Sequence, residues 1–303
     1  MTKRSFRDIR VKAADGLLLH ARSYGDDLGE APPVVCLPGL ARHSGDFHDL
    51  AMALTDPDEG PPRHVVAVDY RGRGKSGYDP NPDNYSVPVE TADLLAVLSE
   101  LGIARAIFVG TSRGGIITMG LAAAKPAMVL GAVLNDIGPV LELPGLLRIK
   151  GYVGRLGQPR DLNEAAGMLE GLFGQQFPSL TGRDWQSWAR NTWDEADGRL
   201  VLTYDPAVGR TLDPIGPDSA VPDLWGLFDA LRGVPVLLIR GALTDLLSDA
   251  TVAEMMARHP DLDLVTVPDQ GHAPLLKGDL IPAIRSFVAR VDKVGSAARP
   301  GSI

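Results

Sequence analysis

Short apolar runs alternate with helical patterns along most of the chain, and this alternation constrains the fold more than any other feature. The run Val34–Leu37 is apolar on both faces, which is typical of a parallel strand buried on both sides, and His64–Asp69 is rich in residues that favour strands. Further runs of this kind lie at residues 106–109, 129–134, 234–239 and 263–267. Because helical spacing separates them, the sequence predicts an α/β fold with a mostly parallel sheet.

The alternation stops between Gly138 and Leu231. This stretch is rich in Gly, Pro and Leu, and it holds all four tryptophans of the chain, Trp185, Trp188, Trp193 and Trp225. We interpret it as an insertion of helices and loops after one strand. The predicted organisation is a core of residues 1–138 and 231–292, an inserted segment of residues 139–230, and a flexible tail of residues 293–303, which are small and polar.

Composition and charge exclude several classes of protein. With one cysteine, Cys36, the chain has no intrachain disulfide and no cysteine-based metal site, and we expect no metal. A net charge of −8 without a dense Lys/Arg run argues against nucleic acid and anionic membranes as partners. The N-terminus lacks the apolar region of a signal peptide, and no apolar run reaches the roughly 18 residues of a membrane span. A cytoplasmic enzyme is the simplest interpretation.

The most informative motif is Gly-x-Ser-x-Gly, formed by Gly110, Ser112 and Gly114. It follows a predicted strand and precedes a predicted helix, which is the context of a nucleophile elbow. In that turn the serine is held in a strained conformation, so the residues two positions away must be small. The helix N-terminus behind the serine favours a developing negative charge. The motif therefore predicts a nucleophile elbow with Ser112 as the nucleophile, rather than a glycine-rich turn without a chemical role.

A serine hydroxyl is a weak nucleophile and needs a base and an orienting acid. Of the histidines, His272 alone combines a late position with a glycine loop directly after a predicted strand, and we predict it as the base. Asp245 follows the apolar strand at residues 234–239 and completes the order Ser, Asp, His, so we predict it as the acid. Asp136, directly after another strand, is the main alternative, and Asp249 is a weaker one.

Two backbone N–H groups near the serine are needed to bind an oxyanion. One is that of Arg113, the residue after the nucleophile. The second is expected from the loop after the third strand, where Gly39 permits a tight turn and Leu40 directs its N–H inward.

These motifs together resemble the α/β-hydrolase superfamily over roughly residues 15 to 292. The matching segments, in family order, are Leu37-Pro38-Gly39-Leu40, Asp69-Tyr70-Arg71-Gly72-Arg73-Gly74-Lys75-Ser76, Gly110 to Gly114, and Gly271-His272. The resemblance implies an eight-stranded, mostly parallel sheet with helices on both faces and a helical cap inserted after strand six. Pro38 stands where the family usually has histidine. Arg113 stands where an apolar residue is common, and we favour a structural role for its side chain.

A serine at the elbow indicates acyl transfer through an acyl-enzyme, without metal or organic cofactor. We therefore expect a carboxylic ester hydrolase acting on a small-molecule ester or lactone. The same triad serves C–C bond hydrolases of ring-cleavage products, and a non-catalytic ligand receptor on this scaffold is a further alternative. A homodimer through the cap or a sheet edge is compatible with the sequence. Trp185 and Trp188 share a helix face, and both are candidates for an apolar substrate pocket.

Overall fold

The structure, a computed structural model, describes residues 6–25 and 31–297. Eight strands form its central sheet: β1 (Arg7–Lys12), β2 (Leu18–Gly25), β3 (Val34–Leu37), β4 (His64–Asp69), β5 (Ala106–Thr111), β6 (Val129–Asn135), β9 (Val236–Gly241) and β10 (Leu262–Val267). Two further strands, β7 (Trp193–Ala196) and β8 (Arg199–Leu202), pair with each other as a separate hairpin. The helices are α1 (His48–Leu54), α2 (Val87–Glu100), α3 (Arg113–Ala124), α4 (Leu143–Tyr152), α5 (Leu162–Phe173), α6 (Gly182–Arg190), α7 (Trp225–Asp229), α8 (Asp249–Arg258) and α9 (Leu280–Ala297).

The strand order in the sheet is β1-β2-β4-β3-β5-β6-β9-β10. Strand β2 runs antiparallel to both of its neighbours, and all the other pairs are parallel. The predicted eight-stranded, mostly parallel sheet is therefore confirmed. Strands β3, β4 and β9 are buried along their whole length, because helices cover both faces of the sheet.

Two hydrophobic clusters lie on opposite faces of the sheet. One joins the sheet to α2, α3 and α8, with Leu94, Ile117 and Met255 at its centre. The other joins it to α1 and α9, with Leu50 and Phe287 among its members. Successive side chains of a strand point to opposite faces, so each buried strand supplies both clusters. The result is a three-layer α/β/α core.

Residues 139–230, called the cap segment below, contribute no strand to the central sheet. This segment holds α4 to α7 and the β7–β8 hairpin. A third hydrophobic cluster, which includes Leu169, Phe173 and Trp185, lies largely within it. The sequence predicted helices and loops here, and the structure adds the hairpin of β7 and β8.

The predicted flexible tail begins at residue 293, and α9 continues into it as far as Ala297. Apolar residues such as Ile284 and Val288 hold this helix on the sheet, and the helix extends past them. The rest of the predicted tail, residues 298–303, lies outside the described residues.

Candidate active site

Ser112 occupies a sharp turn between β5 and α3, with φ of 50° and ψ of −113°. A residue other than glycine rarely adopts this backbone conformation, and such strain is concentrated at functional sites. The flanking glycines are required by contact. A Cβ on Gly110 would lie 2.5 Å from the carbonyl carbon of Gly114, and one on Gly114 would lie 2.1 Å from the carbonyl oxygen of Leu37. Since both obstacles are backbone atoms, neither can move aside, and the turn accepts only glycine at these positions.

His272 lies in the loop after β10 and is hydrogen-bonded to Ser112. Its Nε2 is 2.9 Å from the Ser112 Oγ, and its Nδ1 is 2.8 Å from Oδ2 of Asp136. An ionised carboxylate only accepts hydrogen bonds, so Nδ1 carries the hydrogen and Nε2 is left to accept the serine proton. The predicted contact between Ser112 and His272 is therefore present in the structure.

Asp136, rather than Asp245, is the carboxylate next to His272. It follows β6 directly, has a φ of 54° and is fully buried. Besides His272, it accepts hydrogen bonds from the N–H of Gly241, at 2.8 Å, and from the Thr244 hydroxyl, at 2.5 Å. These donors come from the end of the adjacent strand β9 and the loop after it, and they hold the carboxylate beneath the imidazole.

Asp245 has a different partner, and this corrects the sequence prediction. Its two carboxylate oxygens lie 2.6 and 2.7 Å from Nε and Nη2 of Arg148 on α4, in the cap segment. Burial alone raises the pKa of Asp245, but the hydrogen bonds and charge of Arg148 outweigh it and lower that pKa. Both acids follow strands, so chain order did not separate them. Asp136 stands directly after its strand, whereas Asp245 lies further along its loop, beyond Thr244, and pairs with the cap segment.

The expected oxyanion-binding groups lie beside the serine. A Cβ on Gly39 would be 3.9 Å from Cβ of Ser112, so the loop after β3 passes close to the nucleophile. Arg113 is the first residue of α3, where a backbone N–H has no partner inside the helix. Among the described residues, none accepts a hydrogen bond from the N–H of Leu40. Both residues line the same cavity as Ser112, with donors available for a developing oxyanion.

The side chain of Arg113 is held away from the reacting atoms. Its Nε lies 2.5 Å from Oε2 of Glu90 on α2, and its Nη2 donates to the carbonyl oxygen of Tyr85 at 3.0 Å. This is the structural pairing with an acid that we favoured from the sequence. Arg113 therefore contributes its backbone to the cavity while its guanidinium joins α3 to α2.

A cavity of about 570 Å³ lies over Ser112 and His272, between the core and the cap segment. Much of its wall is apolar and comes from the cap segment: Leu141, Leu146, Ile149, Val153, Phe173, Trp188, Leu212 and Ile215. Charged groups line other parts of the wall, among them Arg42, Asp46, Asp184 and Lys277. The apolar portion suits a hydrophobic part of a ligand, and the charged groups leave room for a polar part.

The two tryptophans predicted for this pocket take different places. Trp188 lines the cavity and stacks on Phe173, with ring centroids 5.1 Å apart. Trp185 does not line it; its ring stacks behind Trp188 at 5.5 Å and is 2% exposed within the third hydrophobic cluster. The two tryptophans do lie on one face of α6, but only Trp188 reaches the cavity. Trp185 is thus corrected from a pocket residue to a packing residue.

Within residues 6–25 and 31–297, no group of three or more His, Cys, Asp or Glu side chains is arranged to hold a metal ion. Within the same ranges no helix is both long and apolar enough to cross a membrane. Cys36 is buried in β3.

An eight-stranded sheet with a strained serine after its central strand, bonded to a late histidine, is the architecture of α/β hydrolases. The sequence profile of the alpha/beta hydrolase family matches residues 34–281, and the chain belongs to that family. It is 35% identical to a 3-hydroxybutyrate-oligomer hydrolase from Cupriavidus necator, over 84% of this chain and 88% of that protein.

Two further similarities agree with this assignment. A 2-(acetamidomethylene)succinate hydrolase from Mesorhizobium japonicum is 28% identical, over 80% of this chain and 82% of that protein. The crystal structure of an alpha/beta hydrolase from Novosphingobium aromaticivorans is 38% identical and superimposes with a TM-score of 0.88, covering 95% of this chain and 99% of that one. The chain is therefore a hydrolase by family, with ester-hydrolysing relatives.

Proposed function

We propose that this chain is a serine hydrolase of carboxylic esters, lactones included, that have apolar acyl or alcohol parts. One observation carries the proposal: the hydrogen-bonded line from Asp136 through His272 to Ser112. This line provides a nucleophile and an orienting acid, each within 2.9 Å of the base His272. Ser112 and His272 line a cavity with a largely apolar wall.

The reaction follows from these positions. Oγ of Ser112 attacks the ester carbonyl carbon while Nε2 of His272 takes the serine proton. The electron pair of the carbonyl bond moves to oxygen, where the N–H groups of Leu40 and Arg113 donate hydrogen bonds. The C–O bond to the alcohol then breaks, and His272 gives its proton to the leaving oxygen. Water then attacks the acyl carbon of the acyl-enzyme and gives a proton to His272. The acyl C–Oγ bond breaks, His272 returns the proton to Oγ of Ser112, and the acid is released, while Asp136 keeps the imidazole oriented.

The substrate class is narrowed by the cavity and by one relative. An ester with an apolar part fits the wall formed by Leu146, Ile149 and Trp188. The similar protein from Cupriavidus necator is named for hydrolysis of 3-hydroxybutyrate oligomers, which are short esters of a hydroxy acid. Such oligomers therefore join simple esters and lactones as the substrates to test first.

Hydrolysis of p-nitrophenyl esters of increasing acyl length, 3-hydroxybutyrate dimers and trimers, and lactones tests the proposal directly. We expect turnover of at least one ester series and complete loss of turnover in Ser112→Ala. The exposed serine variant Ser99→Ala, on α2, is the matched control and should be unaffected. A ring-fission dienoate tests the C–C bond alternative. Turnover of the dienoate without turnover of any ester would replace the ester assignment.

Labelling with a fluorophosphonate separates an enzyme from a non-catalytic receptor. An activated Ser112 should take the label in the wild-type chain and not in Ser112→Ala. If the wild-type chain resists the label as fully as Ser112→Ala, Ser112 is not a nucleophile and the proposal fails.

A further inference from the structure

A cluster of charges lies behind Ser112, and two of its members, Glu90 and Arg73, do not line the cavity. Glu90 of α2 lies between two arginines: its Oε1 is 2.7 Å from Nη1 of Arg73, and its Oε2 is 2.5 Å from Nε of Arg113. The side chains of Glu90 and Arg73 are fully buried, and that of Arg113 is 13% exposed. Two guanidinium groups thus share one carboxylate away from water.

Each arginine is connected to one half of the oxyanion-binding pair. Arg73 donates from Nε to the carbonyl oxygen of Leu40 at 2.8 Å, so it holds the peptide that follows the Leu40 N–H. Arg113 carries the second N–H itself, and its side chain is fixed at the other oxygen of Glu90. The loop after β3 and the start of α3 are distant in the chain, and this cluster links them through a single carboxylate.

Arg73 and Arg113 make additional contacts. Arg73 also donates from Nη1 to the carbonyl oxygen of Arg71, at 2.6 Å, and its guanidinium lies 5.3 Å from the ring centroid of Tyr85. The carbonyl of Tyr85 accepts from Arg113 at 3.0 Å. An arginine with several fixed donors holds its partners in one arrangement, because few of its rotamers satisfy them all.

Burying three charges is costly, since desolvation opposes the gain from pairing. A hydrophobic set of similar volume serves simple packing at least as well. What the charged set adds is orientation of two particular peptides, together with one more positive than negative charge close to the place where an oxyanion forms. Both effects favour a transition state in which negative charge develops.

We propose that Glu90 is a positioning residue for the reaction: through Arg73 and Arg113 it holds the two segments that carry the oxyanion-binding N–H groups of Leu40 and Arg113 in register with Ser112. This inference rests on the proposed function. Glu90 touches neither substrate nor the reacting atoms, so its removal should lower the rate of the chemical step and leave ground-state binding unchanged.

The first test uses Arg113→Gln, because that side chain is partly exposed and the Arg73–Glu90 pair remains. The measurements are kcat per active site, KM for a p-nitrophenyl ester, and the inhibition constants of a trifluoromethyl ketone and of the matching methyl ketone. The trifluoromethyl ketone adds to Oγ and forms an oxyanion; the methyl ketone binds mainly as a ground-state carbonyl. We expect kcat to fall about 10-fold and trifluoromethyl ketone inhibition to weaken by a similar factor. KM and methyl ketone inhibition should stay unchanged.

Glu90→Gln and Glu90→Asp extend the test. The first should reproduce the loss in kcat, and the second, which keeps the carboxylate, should restore part of it. If Glu90→Gln does not fold, the result with Arg113→Gln decides alone. The matched controls are Glu100→Gln, at the exposed end of α2, and Arg105→Gln, exposed just before β5, both expected to behave as wild type.

The outcomes separate this inference from the proposed function. Wild-type chain that neither hydrolyses esters nor takes the fluorophosphonate label overturns the proposed function. Active wild type with unchanged kcat in Arg113→Gln, or with equal weakening of both ketones, overturns only the positioning role of Glu90. A drop in melting temperature without any change in kcat per active site shows a purely structural cluster and also overturns it.

Discussion

Asp136 and His272 lie within hydrogen-bonding distance across two strands of the sheet, with 2.8 Å between Oδ2 and Nδ1. Asp136 follows β6, and His272 belongs to the loop after β10. Strand β9 runs between them and sends the N–H of Gly241 to the same carboxylate. The acid of the proposed triad thus stands one strand earlier than we predicted, and Asp245 pairs with Arg148 of the cap segment.

The two aspartates are expected to respond very differently to removal of their charge. Asp136→Asn loses the acceptor that sets the imidazole tautomer, so kcat should fall by roughly 10³- to 10⁴-fold. Asp245→Asn loses a partly exposed ion pair and should change kcat by less than about fivefold. Steady-state kinetics on one p-nitrophenyl ester compares them. The reverse ranking would return the acid role to Asp245.

Substitutions at the two stacked tryptophans should separate specificity from stability. Trp188→Ala enlarges the cavity and should shift the preferred acyl length of p-nitrophenyl esters upward, because the indole lines the wall. Trp185→Ala removes a side chain buried in the cap segment and should lower the free energy of unfolding by about 3–5 kcal/mol. Urea unfolding and an acyl-length series measure both. Equal shifts of specificity in the two variants would contradict these assigned places.

The glycines of the elbow provide a steric test. Gly110→Ala places a methyl group against the backbone of Gly114, so we expect about 1–3 kcal/mol of destabilisation together with loss of fluorophosphonate labelling. Gly120→Ala is the control on α3, where a Cβ meets no atom within 4 Å. That change should be neutral or stabilise the chain by up to about 1 kcal/mol. A labelled and fully stable Gly110→Ala would show that the turn is wider than described.

One link between cap segment and core should depend on pH. The hydrogen bond from Lys277 lowers the pKa of Asp184 to about 2, with further help from Thr181. A carboxylate whose pKa is lower when folded than when unfolded stabilises the fold above its unfolded pKa, near 4, and loses that effect as pH falls towards 2. Wild type should therefore exceed Asp184→Asn in stability by about 1 kcal/mol at pH 7.

That gap should be constant between pH 7 and 5 and should close as pH falls below about 4. Denaturant unfolding at several pH values measures it. Asp197→Asn, on the exposed turn between β7 and β8, is the control and should leave the stability unchanged. A gap that persists to pH 3 and below without narrowing would mean that the Asp184 charge does not stabilise the folded chain.

Much of the fold, and part of the candidate active site, could be predicted from local sequence patterns. Strands such as Val34–Leu37 and His64–Asp69 are separated by helical segments in the sequence. A strand that is buried on both faces and joined to the next by a helix is typical of a parallel sheet, so the mostly parallel sheet could be predicted. The elbow is equally local, since Gly110, Ser112 and Gly114 lie within one turn whose steric limits are set by the backbone. The loop of His272 was recognisable for a similar reason: it follows a strand and contains a glycine.

Tertiary structure decided the partners of charged side chains. Asp136 and Asp245 both follow strands, and only the positions of Thr244 and of Arg148 on α4 determine which of them meets His272. The cluster of Glu90, Arg73 and Arg113 joins three separate segments of the chain, so the spacing of these residues in the sequence does not predict it. The side of α6 that meets the cavity is likewise set by how the cap segment packs. The pattern of buried residues in a strand or helix can be predicted from neighbouring residues in the sequence. The energy of an ion pair depends instead on distances that exist only after the chain has folded.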